Sequence, residues 1–390
     1  MNKIAQYKGK KVLIIEGGSR QALPIIKGFH QLGFETTAYC SSKLDVAAVF
    51  KYTDKVVYSF YDDKNKEKTF KSILSAVRNV YYDIIVPTFD FPAMILSENK
   101  KELEKYCGYV YVNDSEIFKM AIDKLNTMRV CMDNGIPCPK TAIVSKIEEL
   151  DLSDWRFPLV VKPRVSFGAK GFFIVKDEKD FKNIYNGVND KFSGALVQEY
   201  IPKGSSQYQV EMVVDKLGKL KSFLLMDKLR WYPFEGGSST LNVTVHDEEI
   251  KTYCLKLLNT ISWCGYASLD LVRDPRDNTP KILEINPRLN GTAKLCFVCG
   301  INIAKQIAEE AFGEEITEYL SYEDNIYLRH FHKDLLWFLK SKTRFSAKPS
   351  WFNFKNNTDE LFYIEDLRPF FVSFITSFKK LLHDSEEREI

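Results

Sequence analysis

Two short runs of alternating apolar and polar residues, separated by a segment rich in turn-forming residues, constrain the fold of this chain most strongly. The runs cover residues 266–272 and 281–288, and the segment 274–280 between them contains Asp, Pro, Asn and Thr. Period-two alternation is typical of a strand with one buried face, and the intervening residues favour a tight connection. The pattern therefore predicts a β-hairpin.

The predicted hairpin brings two carboxylates face to face. If its loop is symmetric about Asp277, Asp270 lies directly opposite Glu284, and Asn286 shares that face because side chains two residues apart project together. Like charges placed opposite each other on a sheet repel, so this face makes chemical sense chiefly with a cation among its oxygen atoms. Hard oxygen ligands with an open face favour Mg²⁺ over zinc, and Mg²⁺ usually accompanies phosphates, for which Arg288 is a partner. The alternative is a solvated face with ordinary surface charges.

Length and charge exclude several classes of protein. A chain of 390 residues is expected to form two or three compact units. Its net charge of +3, with both signs interspersed, provides no concentrated basic face, so no nucleic-acid partner is expected. The pair Cys296 and Cys299 has no second pair at zinc-site spacing and is interpreted as packing. Because the sequence lacks a signal-peptide pattern and a run of membrane-spanning length, we expect a cytoplasmic protein.

Residues 1–112 alternate short apolar runs with segments of helical spacing. This alternation begins with the apolar run 11–15 and predicts a doubly wound parallel sheet. The glycine pair in 16–20 falls short of the dinucleotide fingerprint, and no ribose-binding acid is clearly placed, which argues against a nicotinamide cofactor. The loop 88–92 lies at the carboxyl end of a predicted strand, where open sheets bind ligands. Substrate binding and a packing turn are equal alternatives for this loop.

The pattern changes near residues 112–140, where helical spacing around Lys124 gives way to short strands and tight loops. Predicted strands at 158–163 and 171–175 enclose a segment of small residues. A Walker-type loop must lead into a helix, whereas a strand follows here, so we predict a hairpin flap. Small residues let backbone N–H groups approach phosphate oxygens closely, although a plain turn is the alternative.

Two further segments are candidates for ligand recognition. Predicted strands at 195–202 and 207–214 could supply an adenine slot, in which Glu199 recognises the exocyclic amine. The segment 230–240 is predicted to be a loop in which Arg230 joins aromatic and small residues. That combination suits the capture of a carboxylate or an acyl phosphate, and a purely structural loop is the alternative.

Taken in order, six segments of this chain resemble those of ATP-grasp enzymes: Lys124, the strand 161–162, the flap 166–171, the run 198–201, Asp270 and the run 284–288. The resemblance covers residues 11–312. It points to the branch that contains carbamoyl phosphate synthetase, biotin carboxylase and the amino-acid and other carboxylate–amine ligases. It implies an α/β and α+β fold, with a Rossmann-like pre-ATP-grasp domain at 1–112 and an ATP-grasp domain at 113–312. In that domain a small flap subdomain (about 140–200) and a large subdomain (about 201–312) would clasp the nucleotide.

The resemblance also implies roles for individual residues. The ATP-binding set would be Lys124, Lys162, Ser166, Phe167, Gly168, Gly171, Gln198, Glu199, Tyr200 and Ile201. The metal ligands would be Asp270, Glu284 and Asn286, holding Mg²⁺ or, as an alternative, Mn²⁺. Arg288 and Lys162 would act on the transferred phosphoryl group, and Arg230 joins them as a catalytic candidate from its residue pattern. Many relatives carry a ribose-binding acid near Gln207, where this chain has an amide, and Glu211 is the alternative ligand.

The chemistry implied by the resemblance is that of a ligase. Phosphorylation of a carboxylate by ATP makes an acyl phosphate, which an amine attacks to give an amide or peptide bond, ADP and phosphate. The protein needs to align the reactants and neutralise charge in a dry site, without a serine, cysteine or histidine nucleophile. The expected partners are therefore a small-molecule carboxylate and a small-molecule amine. The alternatives are a bicarbonate-using carboxylase of the same superfamily and a non-catalytic ATP-binding regulatory protein.

Residues 313–390 form an aromatic-rich extension outside the resemblance. Phe371, Phe374, Ile375 and Phe378 fall on one helical stripe that is followed by lysines. Such a stripe can dock on the rest of the chain, form a homodimer interface or rest on a membrane surface. Because aromatic stripes are usually buried, the pattern favours docking or self-association over membrane contact.

Overall fold

The computed structural model describes residues 6–142, 147–166, 170–202, 204, 206–234 and 238–383, with side chains described as far as residue 376. The chain divides into two compact units. The first comprises Met1–Ser115 together with Arg288–Ile390, and the second comprises Glu116–Pro287. The first unit is thus built from both ends of the sequence.

The amino-terminal part of the first unit is a parallel sheet, as predicted. Its strands are β1 (Lys11–Ile15), β2 (Glu35–Cys40), β3 (Lys55–Tyr58), β4 (Ile84–Pro87) and β5 (Tyr109–Val110). Its helices are α1 (Ala22–Leu32), α2 (Lys66–Asn79), α3 (Asp90–Glu98) and α4 (Lys100–Leu103). The strands lie in the order β3-β2-β1-β4-β5, and the central strands are fully buried apolar runs, which is typical of parallel sheets. The prediction of a doubly wound sheet is confirmed.

The strand order reverses between β1 and β4, and the loops that follow these two strands meet there. Ser19 Oγ lies 2.7 Å from Thr88 Oγ1, and Gln21 Nε2 donates to the carbonyl of Thr88 at 2.5 Å. A side chain at Gly17 would collide with the Sγ atom of Cys40, so glycine is required for this close approach. This edge is the topological switch point, at which open α/β sheets bind their ligands.

The second unit begins with helices α5 (Ser115–Ile122) and α6 (Lys124–Asp133) and continues into a small antiparallel sheet. This sheet contains β6 (Leu159–Pro163), β7 (Phe173–Val175) and β8 (Ala195–Glu199) in the order β7-β6-β8, with helix α7 (Glu178–Phe192) between β7 and β8 in sequence. Phe181, Tyr185 and Val188 of α7 are buried in one apolar cluster with Leu159 and Val161 of β6. Strands β6 and β7 pair as a hairpin, which confirms that the glycine-containing segment leads into a strand.

The larger sheet of the second unit is also antiparallel. Its elements are β9 (Gln207–Val214), β10 (Leu220–Tyr232), β11 (Ser238–Val245), α8 (Glu248–Thr260), β12 (Gly265–Arg273) and β13 (Pro280–Asn286). The strands are neighbours in the order β13-β12-β9-β10-β11. The hairpin predicted for 266–288 is therefore β12–β13. The prediction of a loop over 230–240 is wrong at both ends, because β10 extends to Tyr232 and β11 starts at Ser238, where the two strands pair.

The carboxyl-terminal part of the first unit contains α9 (Ala293–Val298), α10 (Ile303–Ala311), β14 (Tyr327–Arg329), α11 (Phe331–Lys340), β15 (Asn357–Asp359) and α12 (Arg368–His383). The polar contacts that tie it to the amino-terminal part of that unit include Arg20 with Glu360 (2.5 Å), Lys27 with Glu365, and the Lys51 N–H with Asp366 (2.7 Å). Docking, one of the predicted alternatives, is thus observed within this unit.

The predicted aromatic stripe on α12 is only partly covered. Phe371, Phe374 and Ile375 each remain about half exposed. Phe374 stacks edge-on against His332, with 5.1 Å between ring centroids, and the side chain of Phe378 lies outside those described. Self-association through this stripe stays a prediction. In the part of the chain that the structure describes, no helix is both long and apolar enough to cross a membrane.

A buried lysine fastens the carboxyl-terminal segment to α9. The Nζ atom of Lys294 donates to the backbone carbonyls of Asp359 (2.5 Å) and Phe362 (2.7 Å). Burial lowers the pKa of Lys294 from 10.5 to about 8. The unfolded state therefore binds more protons between pH 8 and 10.5, and the free energy of unfolding contributed by this residue rises with pH across that window.

We expect Lys294→Met to remove this contribution. The wild-type protein should gain stability relative to the variant when the pH is raised from 7.5 to 10, by up to about 3 kcal/mol. Urea midpoints of both proteins at the two pH values provide the measurement, and effects of other titrating groups cancel in the difference. Midpoints that shift in parallel would show that Lys294 keeps its ordinary pKa.

Candidate active site

The hairpin β12–β13 carries the predicted carboxylate pair. In its register Asp270 lies opposite Glu284, and Ser268 lies opposite Asn286. The prediction that the two acids face each other across the strands is confirmed. The register shifts immediately after Asp270, and a bulge of this kind re-aims side chains and recurs next to functional sites.

Each of the two carboxylates has its own lysine. Lys124 Nζ lies 3.2 Å from Glu284 Oε2 and also donates to the Ser166 carbonyl at 3.2 Å. Lys228 Nζ lies 2.7 Å from Asp270 Oδ1. Both lysine side chains are largely buried. The pair therefore lies in a single polar environment in which positive charge balances negative charge.

The electrostatics of the pair show how closely the two acids interact. Burial raises the pKa of Asp270, and the carboxyl of Glu284, within hydrogen-bonding reach, raises it further against the charge of Lys228. Burial also raises the pKa of Glu284, but the ammonium groups of Lys124 and Lys162 outweigh burial and lower its pKa below the usual value. Glu284 is thus the acid held firmly as a carboxylate.

The oxygen atoms of this face fit a hard divalent cation. Within the described residues, no three His, Cys, Asp or Glu side chains cluster as a metal site. Here the donor set is two facing carboxylates and the amide of Asn286, the oxygen-only chemistry that Mg²⁺ accepts while keeping several of its waters. Because lysines now balance the acids, a cation that enters would take over their role. The assignment of Asp270, Glu284 and Asn286 as metal ligands stays a prediction.

Lys162 belongs to the same cluster. It lies on β6, with 9% of its surface exposed. Burial lowers its pKa to about 8, Glu284 and Asp270 oppose that shift, and Lys124 adds to it. A buried ionisable group whose pKa is shifted by burial and by specific charged neighbours is typical of a functional site. Its predicted role toward the phosphates of ATP is consistent with this position.

The flap and adenine candidates are placed as follows. Phe167 and Gly168 lie outside the described residues. Gly171 has φ +74°, and its position is crowded by Phe192 and Pro163, so only glycine suits it. Gln198 is buried, and its Nε2 donates a hydrogen bond to Thr141 Oγ1 at 2.9 Å. Tyr200 and Ile201, which follow it, are half-buried.

Glu199 lies in an ionic cluster of the second unit. Its carboxylate accepts the Lys140 N–H at 2.9 Å and contacts Lys281 Nζ at 3.0 Å and Arg276 Nη2 at 2.6 Å. Burial raises the pKa of Glu199, but these three donors outweigh burial and lower it. The carboxylate is thereby fixed in one orientation. Recognition of adenine by this residue stays a prediction.

The two ribose candidates differ sharply in environment. Gln207 is exposed at the start of β9. Glu211 is only 2% exposed, and its carboxylate accepts hydrogen bonds from Tyr266 and from Gln209 Nε2 (2.8 Å). Gln207 is therefore the more accessible of the two, and neither assignment is tested.

The two arginine candidates lie in different units. Arg230 is 3% exposed on strand β10 rather than on a loop. Arg288 belongs to the first unit, where its Nη2 lies 2.9 Å from Asp90 Oδ2 and its guanidinium lies 5.9 Å from the Phe89 ring centroid. The prediction of a loop over 88–92 is wrong from Asp90 onward, because α3 begins there, and it is this first helical residue that contacts the arginine. The catalytic roles predicted for both arginines stay predictions.

Lys228 was not predicted from the sequence as part of this carboxylate pair. It lies on β10, whereas its partner Asp270 lies on β12, and β9 runs between these strands. In the sequence Lys228 is one of several charged residues in an alternating strand. Only the strand order brings it to the carboxylate pair.

Comparison with known proteins agrees with this geometry. A family model described as an ATP-grasp domain matches residues 121–292. A D-aspartate ligase from Enterococcus faecium is 26% identical over 326 residues, which cover 76% of each chain. Among solved structures, the biotin carboxylase domain of a Hydrogenobacter thermophilus 2-oxoglutarate carboxylase superposes with a TM-score of 0.67 at 18% identity, covering 82% of this chain and 73% of that one. An L-amino acid ligase from Bacillus licheniformis gives a TM-score of 0.62 at 18% identity, covering 80% and 76%.

Residues 121–292 therefore match an ATP-grasp domain, and the resemblance drawn from the sequence is confirmed. Within that superfamily, the relatives support membership of the branch of ATP-dependent ligases that form C–N bonds.

Proposed function

We propose that this protein is an ATP-dependent carboxylate–amine ligase. It would activate a carboxylate as an acyl phosphate and join it to an amine, forming an amide or peptide bond and releasing ADP and phosphate. The observation that carries the proposal is the facing pair Asp270 and Glu284, each in contact with its own lysine inside an ATP-grasp domain.

The residues of the second unit supply the electrostatics that phosphoryl transfer needs. Mg²⁺, when held by Asp270, Glu284 and Asn286, would supply charge neutralisation for the phosphates. Lys124 and Lys162 would move their positive charge from the carboxylates to the phosphate oxygens, because the cation then balances the acids. Such preorganised positive charge in a buried site stabilises the charge that develops on the transferred group. No covalent nucleophile from the protein is required.

An amino acid is the substrate class that we propose. The D-aspartate ligase relative covers three quarters of this chain, and its name assigns it an amino-acid substrate. ATP with Mg²⁺ or Mn²⁺ is the proposed cofactor set, and a cytoplasmic location and a homodimer complete the proposal. Arg288 and Arg230 are proposed to act on the phosphoryl and acyl groups.

Phosphate release tests this function. The protein, ATP and Mg²⁺ are combined with a panel of amino acids and amines, each alone and in pairs, with and without bicarbonate. Release that requires both an amino acid and an amine supports the ligase. Release that depends on bicarbonate would indicate a carboxylase instead, and ATP binding without release under every pairing would indicate a regulatory protein.

A further inference from the structure

The switch point of the parallel sheet carries two arginines of the first unit. Arg20 belongs to the loop after β1, next to Ser19, which contacts Thr88 in the loop after β4. Two residues beyond Thr88, Asp90 holds Arg288 at 2.9 Å. Arg20 therefore directly follows a residue of the edge at which doubly wound sheets bind ligands, and Arg288 contacts the first residue of α3 beside it.

Arg20 is held from two sides. Its Nε lies 2.5 Å from Glu360 Oε2, and this glutamate, 1% exposed, is its one ion-pair partner in the described chain. Its guanidinium also packs over Gly291, where an added Cβ would lie only 2.7 Å from Cζ. About a quarter of the Arg20 side chain (27%) remains exposed. The side chain is thus fixed in direction while part of it stays accessible to a ligand.

Stability alone is a poor explanation for this arrangement. Removing two charges from water costs several kcal/mol per ion, and a buried ion pair often stabilises a fold no better than apolar side chains do. Glu360 is fully buried in the carboxyl-terminal segment, yet it holds an arginine that is partly exposed and that directly follows Ser19 of the switch point. A guanidinium in a fixed orientation matches the geometry of a carboxylate, to which it donates two parallel hydrogen bonds.

We infer that Arg20, oriented by Glu360 and Gly291, binds a carboxylate of the amino-acid substrate. The inference rests on the proposed ligase function and deepens it. Arg20 is then a substrate-binding residue, and Glu360 is a positioning residue that acts through it. The carboxyl-terminal segment, which lies outside the ATP-grasp domain, thereby acquires a role in substrate recognition.

Three variants test the inference in the full-length protein. Arg20→Ala removes the guanidinium, and Glu360→Gln removes the charge of its partner. Gly291→Ala keeps every charge, but its added methyl group would push the Arg20 guanidinium out of its position. Glu365→Gln is the matched control, because it removes an equivalent carboxylate from the Lys27 pair in the same segment. Thermal melting of all four variants checks that they fold. If Glu360→Gln does not fold, Gly291→Ala still tests whether the orientation of Arg20 matters.

Binding is measured by calorimetry with D-aspartate, L-aspartate and glycine as probes, and KM and kcat are measured with the amino acid that turns over. We expect the Kd and KM for the amino acid to rise at least tenfold in Arg20→Ala and several-fold in the two positioning variants. The KM for ATP, and kcat at saturating amino acid, should stay within about threefold of wild type. Arg20→Lys should recover part of the affinity, because it restores the positive charge but not the two parallel hydrogen bonds of a guanidinium.

The outcomes separate this inference from the proposed function. If turnover occurs and the three variants keep the wild-type KM for the amino acid, the role of Arg20 is wrong and the ligase stands. If no pairing releases phosphate but a probe binds wild type and not Arg20→Ala, the ligase is wrong and the carboxylate site stands. A KM for ATP that rises in parallel with that for the amino acid, or a wild-type protein that binds none of the probes, would overturn the inference.

Discussion

Glu284→Gln is expected to fold normally and to lose at least 100-fold in Mg²⁺-dependent phosphate release. Glutamine keeps the size of the side chain but removes the negative charge. In the wild-type protein, Lys124 and Lys162 keep the Glu284 carboxyl group ionised. The proposed Mg²⁺ site would retain one carboxylate, Asp270, whose own pKa is raised by burial. A hard cation depends on charged oxygen ligands, so its affinity should fall steeply. Phosphate release measured over a range of Mg²⁺ concentrations provides the test.

Glu365→Gln serves as the control for this change as well. It makes the same chemical substitution at a lysine-paired carboxylate of the first unit, and activity should remain at the wild-type level. Melting temperatures of both variants separate loss of the site from loss of the fold. Wild-type turnover in Glu284→Gln, at limiting Mg²⁺, would show that the metal does not depend on this hairpin.

The hairpin also illustrates what a sequence alone can establish. Its register follows from the strict period of two in side-chain direction and from a turn whose midpoint can be read from the residues. The pairing of Asp270 with Glu284 could therefore be predicted without a structure, and the register of β12 and β13 confirms it. The parallel sheet was equally accessible, because buried strands such as β1 are continuous apolar runs separated by helical segments.

Contacts that depend on strand order were not accessible. Lys228 reaches Asp270 only because β9 lies between their strands, and no local pattern encodes that neighbour relation. Arg20 and Glu360 are 340 positions apart in the chain, and their contact depends on how the carboxyl-terminal segment packs. The prediction of a loop over 230–240 was wrong for a related reason, since pairing with β11 continues β10 to Tyr232, and no local pattern shows that pairing.

Lys162 provides the second large expected effect, on ATP affinity. Lys162→Met should weaken the binding of ATP in the presence of Mg²⁺ by roughly 100-fold, or about 2.7 kcal/mol, because it removes a buried ammonium that is proposed to contact phosphate. Lys162→Arg should retain most of the affinity, since it keeps the charge. Isothermal titration calorimetry at pH 7.0 measures the ATP affinity of the wild type and of both variants. A methionine variant that binds ATP as tightly as wild type would remove Lys162 from the nucleotide site.

The same lysine predicts a proton taken up on binding. Burial lowers the pKa of Lys162 to about 8, so the ammonium is partly deprotonated at pH 8.5 before nucleotide arrives. Phosphate oxygens favour the charged form, so binding should raise the pKa, and about three quarters of a proton should enter the protein per ATP at this pH. ATP affinity should accordingly fall as the pH rises above 8. Calorimetry in two buffers with different ionisation enthalpies measures this uptake, which should vanish in Lys162→Arg because arginine stays protonated throughout. Equal uptake in the arginine variant would assign the proton to another group.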